Sequence, residues 1–146
     1  MNALQATRRL FVIAALSSVI AAPVFAQGAP EGKVAINYNR CDKAYDGWGA
    51  HLWKNPNIPI TGVEWGKPMM PTPNDFGVVW LIDQAEFGNS GDVNYIIHKG
   101  DSKEQGGQDM KFSSKTSREV WINGGDRKIY SSLDDAKKAR AASPCP

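Results

Sequence analysis

The sequence contains few of the residues that enzymes most often use for catalysis. Its 146 residues include only two histidines, His51 and His98. Neither histidine belongs to a zinc-binding pattern such as His-Glu-x-x-His. The chain also has no Gly-x-Ser-x-Gly nucleophile motif and no glycine-rich phosphate loop. Carboxylates are plentiful, but no pair of them is singled out as an acid–base couple. The sequence therefore predicts a non-catalytic protein without a metal ion or a cofactor.

The chain also has almost no excess of charge. Arg8 and Arg9 precede an apolar run from Leu10 to Ala22, and Val24-Phe25-Ala26 resembles a signal-peptidase site. This pattern predicts a signal peptide over residues 1–26, and its apolar run is too short to favour the alternative of a membrane anchor. Its removal leaves 15 basic side chains against 15 acidic ones. A neutral, secreted or periplasmic protein has no electrostatic attraction to nucleic acid or to anionic membranes.

Only two cysteines are present, Cys41 and Cys145, and they lie near opposite ends of the exported part. An oxidising compartment allows them to form one disulfide, and the alternative is two free or intermolecular thiols. A bridge across so long a loop stabilises the fold by up to about 4–5 kcal/mol in the chain-entropy model. We therefore expect a Cys41–Cys145 disulfide.

Short apolar stretches separated by turn residues predict strands. The predicted strands cover residues 34–38, 48–53, 77–82, 93–98, 119–123 and 128–130. No helix is predicted between any two of them, so the pattern favours an antiparallel β-sandwich over an α/β fold. Gly124-Gly125-Asp126 predicts a hairpin turn between the last two strands. The polar stretch 100–108 is predicted to be a loop.

One helix is expected near the end of the chain. Ser132 is a suitable N-cap, and residues 134–142 contain good helix formers. The domain organisation predicted from these elements is a flexible leader over 27–32, a β-sandwich over 33–131, and a helix with a tail over 132–146.

Aromatic residues are the most informative feature of the sequence. Side chains alternate between the two faces of a strand, so His51 and Trp53 share one face while Trp48, Ala50 and Leu52 share the other. The second set is predicted to lie in the core, together with Trp80 and Trp121. The first set is predicted to form two exposed rings about 7 Å apart along the strand. Such rings suit a sugar polymer, because the C–H-rich faces of glucose stack on aromatic rings.

Several motifs occur in an order that resembles the family 41, pullulanase-associated carbohydrate-binding modules. These motifs are Tyr45-Asp46-Gly47-Trp48-Gly49 with Leu52-Trp53, Gly66-Lys67-Pro68, Asp75-Phe76-Gly77, Ile96-Ile97-His98-Lys99-Gly100-Asp101 with Lys103, and Glu119-Val120-Trp121-Ile122. The resemblance implies an immunoglobulin-like β-sandwich that binds α-glucans such as starch, glycogen, pullulan and maltooligosaccharides. It further implies that glucose rings stack on His51 and Trp53, and that Lys103 and Asp109 bind hydroxyl groups.

Two other functions remain open at this point. One is a secreted adhesion or inhibitor domain that uses the same aromatic face to bind a protein. The other is an auxiliary fragment of a pullulanase, which would act beside a separate starch-debranching enzyme. Trp65 lies in a predicted loop, where it suits either a core or a surface position.

Overall fold

The computed structural model describes residues 28–146, so the predicted signal peptide over residues 1–26 lies outside the described part of the chain. The strands are β1 (Lys33–Asn39), β2 (Gly49–Lys54), β3 (Ile58–Pro59), β4 (Thr72–Pro73), β5 (Val78–Asp83), β6 (Asp92–Lys99), β7 (Ser102–Lys103), β8 (Met110–Ser113) and β9 (Glu119–Asn123), and the helix is α1 (Leu133–Ala142). Within residues 28–146, no helix has the length and apolarity needed to cross a membrane.

The strands form two sheets. The first sheet has the order β4-β5-β1-β9, and the second has the order β3-β2-β6-β7 with β8 also paired to β6. All pairs are antiparallel except β1 and β9, which run parallel with Ile36 opposite Val120. The prediction of an all-β, immunoglobulin-like sandwich with a short C-terminal helix is confirmed, with this one parallel pair as a difference.

The core lies between the two sheets and follows the alternation of side chains along the strands. Ala50 and Leu52 of β2 are fully buried in it, and Trp80 and Trp48 contribute the two core tryptophans. The prediction that Trp121 belongs to the core is wrong. Its neighbours Val120 and Ile122 point into the core, so Trp121 points to the outer face of the first sheet and is half-buried there.

The C-terminal helix is attached to the first sheet at several points. Ser132 caps the helix as predicted, since its Oγ accepts a hydrogen bond from the backbone N–H of Asp135 at 3.1 Å. Asn123 of β9 donates from its side chain to the carbonyl of Ala136 at 2.9 Å. Cys41 and Cys145 form the predicted disulfide, which joins the residues after α1 to the segment after β1.

The last predicted hairpin forms only in part. The turn is present, since the N–H of Asp126 donates to the carbonyl of Asn123 at 2.9 Å. In place of the strand predicted at 128–130, the structure has an isolated antiparallel bridge between Trp121 and Tyr130. The backbone N–H of Gly125 donates to Glu104, and that of Lys128 donates to Asp126, so these groups do not form a ladder with β9. The predicted loop at 100–108 contains the short strand β7, which places Lys103 at an edge of the second sheet.

Candidate functional site

His51 and Trp53 lie side by side on the outer face of the second sheet. Both belong to β2, which pairs with β3 on one side and with β6 on the other. Their ring centroids are 5.6 Å apart and the rings are tilted by 34°. The alternation of β2 therefore gives the two residues the shared face that the sequence predicts.

Trp65 is the exposed ring of this face. It lies in a turn between β3 and β4, where the backbones of Glu64 and Lys67 exchange two hydrogen bonds of 3.0–3.2 Å. The Trp65 indole stacks on His98, with 4.0 Å between centroids and 5° between planes, and its edge meets His51 at 5.6 Å. His98 is 1% exposed, whereas Trp65 is 39% exposed. A buried ring thus holds an exposed ring in a fixed orientation.

Trp53 is much less accessible than the sequence predicts. It lies on the expected face but is only 8% exposed. Its backbone is flanked by Pro59 of β3, and its carbonyl accepts a hydrogen bond from the Asn94 side chain at 3.2 Å. The expectation of two exposed rings on β2 is therefore wrong in one respect, because the accessible tryptophan of this face comes from the neighbouring turn.

Lys103 and Asp109 come to the same region from the β6–β8 connection. The ammonium of Lys103 lies over the Trp65 ring, 5.1 Å from its centroid, within the range of a cation–π contact. Asp109 is exposed, and its charge acts on the pKa of His51. Neither side chain forms an ion pair with any residue between 28 and 146. The structure thus places His51 and Lys103 against Trp65, and it places Trp53 and Asp109 near His51.

Burial controls the ionisation of His51. Loss of solvent lowers the pKa of its imidazole, and the nearby His98 lowers it further. The backbone carbonyl of Glu64 and the carboxylate of Asp109 act in the opposite direction. The Nδ1 atom of His51 has no hydrogen-bond partner among the described residues. A pKa below the usual value leaves this ring neutral at pH 7.

The second histidine is held by the backbone. His98 Nδ1 lies 2.9 Å from the carbonyl oxygen of Gly100, which places a hydrogen on Nδ1. Its buried Nε2 has no partner in the described part of the chain. Within residues 28–146, no three His, Cys, Asp or Glu side chains are grouped in a way that could hold a metal ion. The chemistry that this arrangement offers is aromatic contact flanked by charged hydrogen-bonding groups.

A wide groove lies elsewhere in the described part of the chain. It has a volume of about 1000 Å³ and follows the outer face of the first sheet, beside Trp121, Asn37 and helix α1. Its size alone would make it a candidate site. The groove is lined by none of His51, Trp53, Trp65, Lys103 and Asp109, which form a patch on the other sheet. The patch is the stronger candidate, because its tryptophan is exposed whereas Trp121 is half-buried.

Comparison with known proteins shows where the fold occurs. Residues 32–131 match the model of the bacterial pullanase-associated domain. An α-amylase of Streptomyces lividans is 36% identical over 73 residues, which are 49% of this chain and 7% of the amylase. The chain therefore spans a small fraction of the length of this relative.

Solved structures share the fold at low sequence identity. A Klebsiella pneumoniae pullulanase, solved in complex with maltotriose, superimposes with a TM-score of 0.63 at 24% identity, over 83% of this chain and 12% of the pullulanase. Streptococcal family 41 carbohydrate-binding modules, solved in a study of α-glucan recognition, superimpose with a TM-score of 0.60 at 20% identity, over 73% of this chain and 50% of theirs.

Proposed function

Since the chain belongs to the bacterial pullanase-associated domain family, we propose that it is a non-catalytic module that binds α-glucans on the outer face of its second sheet. Proteins of the same fold include family 41 modules that recognise α-glucan and a pullulanase solved with maltotriose. These likenesses support the class of ligand. The contacts proposed below rest on the residues of this chain.

The observation that carries the proposal is the exposed Trp65 ring stacked on buried His98. An exposed aromatic ring offers a flat apolar surface to the C–H face of a glucose unit. The stack on His98, at 4.0 Å and nearly parallel, limits the motion of the indole before any ligand arrives. A ring that is already ordered loses little conformational entropy on binding, so more of the contact energy appears as affinity.

The groups around Trp65 suit the edges of a glucan. His51 and the exposed part of Trp53 extend the aromatic surface along β2. Lys103 donates and Asp109 accepts hydrogen bonds, which are the two roles that sugar hydroxyls require. Neither charged group has an ion-pair partner within residues 28–146, so neither must break an ion pair before it binds hydroxyls. The contact of the Lys103 ammonium with the Trp65 ring has to adjust when a glucose unit covers that ring.

The chain matches only a small part of its relatives. It spans 7% of the amylase and 12% of the pullulanase that it resembles. We propose that it supplies glucan binding to a starch-debranching enzyme outside the cell membrane, in the periplasm or the medium. Tethering to a polymer raises the concentration of such an enzyme near its substrate.

Affinity electrophoresis tests the proposal. The native protein should be retarded in gels that contain amylopectin or pullulan, and should run normally in gels that contain hydroxyethylcellulose. Trp65→Ala should remove most of the retardation, a loss of at least about tenfold in affinity, or 1.4 kcal/mol. Trp121→Ala is the matched control, because it removes a tryptophan from the outer face of the other sheet.

Three outcomes would contradict the proposal. Equal mobility of the native protein in all gels would exclude glucan binding and favour the protein-binding alternative. Equal retardation of native protein and Trp65→Ala would show that glucan binds away from this patch. Loss of retardation in Trp121→Ala alone would assign binding to the groove of the first sheet.

A further inference from the structure

The segment that carries Lys103 and Asp109 is attached to the opposite sheet by Glu104, the residue that follows Lys103. Strand β7 ends at Lys103, and the backbone N–H of Glu104 then donates to the carbonyl of Ile97 at 2.9 Å. Side chains alternate along this extended stretch, so Glu104 points into the molecule while Lys103 points out toward Trp65. The orientation of one side chain therefore determines that of the other.

The Glu104 carboxylate accepts three hydrogen bonds from two segments, the end of β1 and the turn after β9. Its Oε1 accepts from the Tyr38 hydroxyl at 2.5 Å and from Arg40 Nη1 at 2.7 Å. Its Oε2 accepts from the backbone N–H of Gly125 at 3.0 Å. The side chain is only 11% exposed. All three donors belong to strands of the first sheet or to the segments that follow them, so this carboxylate links the two sheets at one end of the sandwich.

The partners of Glu104 are themselves immobilised. Tyr38 is fully buried in the core, and burial together with Glu104 raises the pKa of its hydroxyl, which therefore stays protonated and donates. Arg40 also binds Asp42 with two hydrogen bonds of 2.7–2.9 Å, and its guanidinium lies 4.2 Å from the centroid of the Trp48 ring. Glu104 is thus anchored to groups that also have contacts outside the loop.

The turn that leads to Asp109 begins at the same residue. Gln105, Gly106 and Gly107 all have positive φ angles, of 52°, 72° and 73°. Gln105 is 2% exposed, and the N–H of Gly107 donates back to the carbonyl of Glu104 at 2.9 Å. Glycine adopts a positive φ without steric cost, so the cost of this conformation falls on Gln105. A buried anchor at the start of the turn stabilises this conformation against alternatives.

We propose that Glu104 is a positioning residue for glucan binding. Its carboxylate, bound to Tyr38, Arg40 and Gly125, places Lys103 over Trp65 and directs the following turn to Asp109, while Glu104 itself touches no glucan. The proposal rests on the function proposed above, because Lys103 and Asp109 are taken as ligand contacts.

A double-mutant cycle tests the proposal by calorimetric titration with maltohexaose. Lys103→Ala should weaken binding about tenfold for a lost hydrogen bond to a charged group, and Glu104→Ala should weaken it at least as much, because Glu104 also directs the turn to Asp109. The double variant should bind about as weakly as Glu104→Ala alone, because the contribution of Lys103 depends on Glu104. Glu104→Gln should restore part of the affinity, since its amide oxygen still accepts from Tyr38 and Arg40.

A matched control separates positioning from general destabilisation. Glu119 is also a half-buried carboxylate, and it accepts from the Asn37 side chain at 3.0 Å on the first sheet. Glu119→Ala should lower stability and leave the affinity for maltohexaose unchanged. The proposal is overturned if Glu104→Ala and Lys103→Ala multiply in the double variant, or if Glu119→Ala and Glu104→Ala weaken binding equally. If Glu104→Ala does not fold, Glu104→Gln takes its place in the double-mutant cycle and in the comparison with Glu119→Ala.

The indole N–H resonance of Trp65 reports on positioning without any ligand. Removal of the Lys103 ammonium from the ring should shift this resonance in Lys103→Ala, and Glu104→Ala should reproduce the shift. A Trp65 resonance that moves in Lys103→Ala but not in Glu104→Ala would refute the positioning role. If the native protein binds no maltohexaose, the proposed function fails, and this spectrum still decides whether Glu104 positions Lys103.

Discussion

The outer faces of the two sheets carry similar residues but use them differently. On the first sheet, the Asn37 amide donates to Glu119 and to the carbonyl of Val120, and the Asn123 amide donates to the carbonyl of Ala136. On the second sheet, Lys103 and Asp109 have no ion-pair partner in the described part of the chain. Both faces contain a tryptophan, but the one on the first sheet is half-buried beside amides that bond internally, whereas Trp65 is 39% exposed.

This difference shows that the volume of a groove and its capacity to bind are separate properties. The groove beside Trp121 encloses about 1000 Å³, and its amides already serve to attach the helix and the strand ends. Ligand hydroxyls would have to replace these internal bonds, with little net gain. The patch around Trp65 presents an exposed ring, and its charged groups have no ion-pair partner within residues 28–146. A polymer that passes over a surface requires only such a patch.

The largest effects should separate stability from affinity in the two tryptophans of the β2 region. Trp48→Ala should cost about 3–5 kcal/mol of unfolding free energy, because the ring is part of the core, and should leave the affinity of the folded protein unchanged. Trp53→Ala should lower both the free energy of unfolding and the affinity. The stability loss should be about 2 kcal/mol, because the side chain is only 8% exposed. Urea unfolding and calorimetric titration with maltohexaose measure the two quantities.

Unchanged stability in Trp53→Ala would contradict this assignment and would return Trp53 to the exposed role that the sequence predicts. Loss of affinity in a stable Trp48→Ala variant would mean that the two faces of β2 have been exchanged.

Local patterns in the sequence predicted which face of a strand each residue of β2 occupies, but they did not predict how exposed its side chain is. The alternation of β2 predicted that His51 and Trp53 lie opposite Ala50 and Leu52, and the structure confirms it. The burial of Trp53 depends on its three-dimensional neighbours, including the short strand β3, which has no hydrophobic periodicity of its own. The same alternation, applied to β9, would have placed Trp121 outside the core, since Val120 and Ile122 are its neighbours.

Hydrophobic periodicity could not predict where residues in turns lie in the fold. Trp65 reaches the site through a turn whose position is set by backbone bonds between Glu64 and Lys67, and its stack on His98 joins residues 33 positions apart. Glu104 likewise acts through Tyr38, 66 positions away. Such contacts carry no local signal in a single sequence. The disulfide was predictable for a different reason, because two cysteines in an exported chain allow a single pairing.

The smallest effect should appear in the pH dependence of binding. Burial holds the pKa of His51 below its usual value, with His98 acting in the same direction and Glu64 and Asp109 against it. A glucan that covers the ring removes more solvent and lowers the pKa further, so ligand binding favours the neutral form. Affinity for maltohexaose should be constant above about pH 6.5 and should fall a few-fold at lower pH, as free His51 takes up a proton.

The control for this effect is His51→Phe, which keeps an aromatic ring and removes the titrating group. This variant should lose most of the decline in affinity at low pH. An equal decline in the native protein and in His51→Phe would assign the pH dependence to another group, such as the Asp109 carboxylate.

The most direct test of glucan binding to the second sheet is a titration of the native protein with maltohexaose. The titration is monitored through the indole N–H resonances of the five tryptophans. We expect the Trp65 resonance to shift most and the Trp53 resonance to shift less. The resonances of Trp80 in the core and Trp121 on the other sheet should not shift. A spectrum in which Trp121 shifts while Trp65 does not would contradict the central claim that α-glucans bind to the outer face of the second sheet.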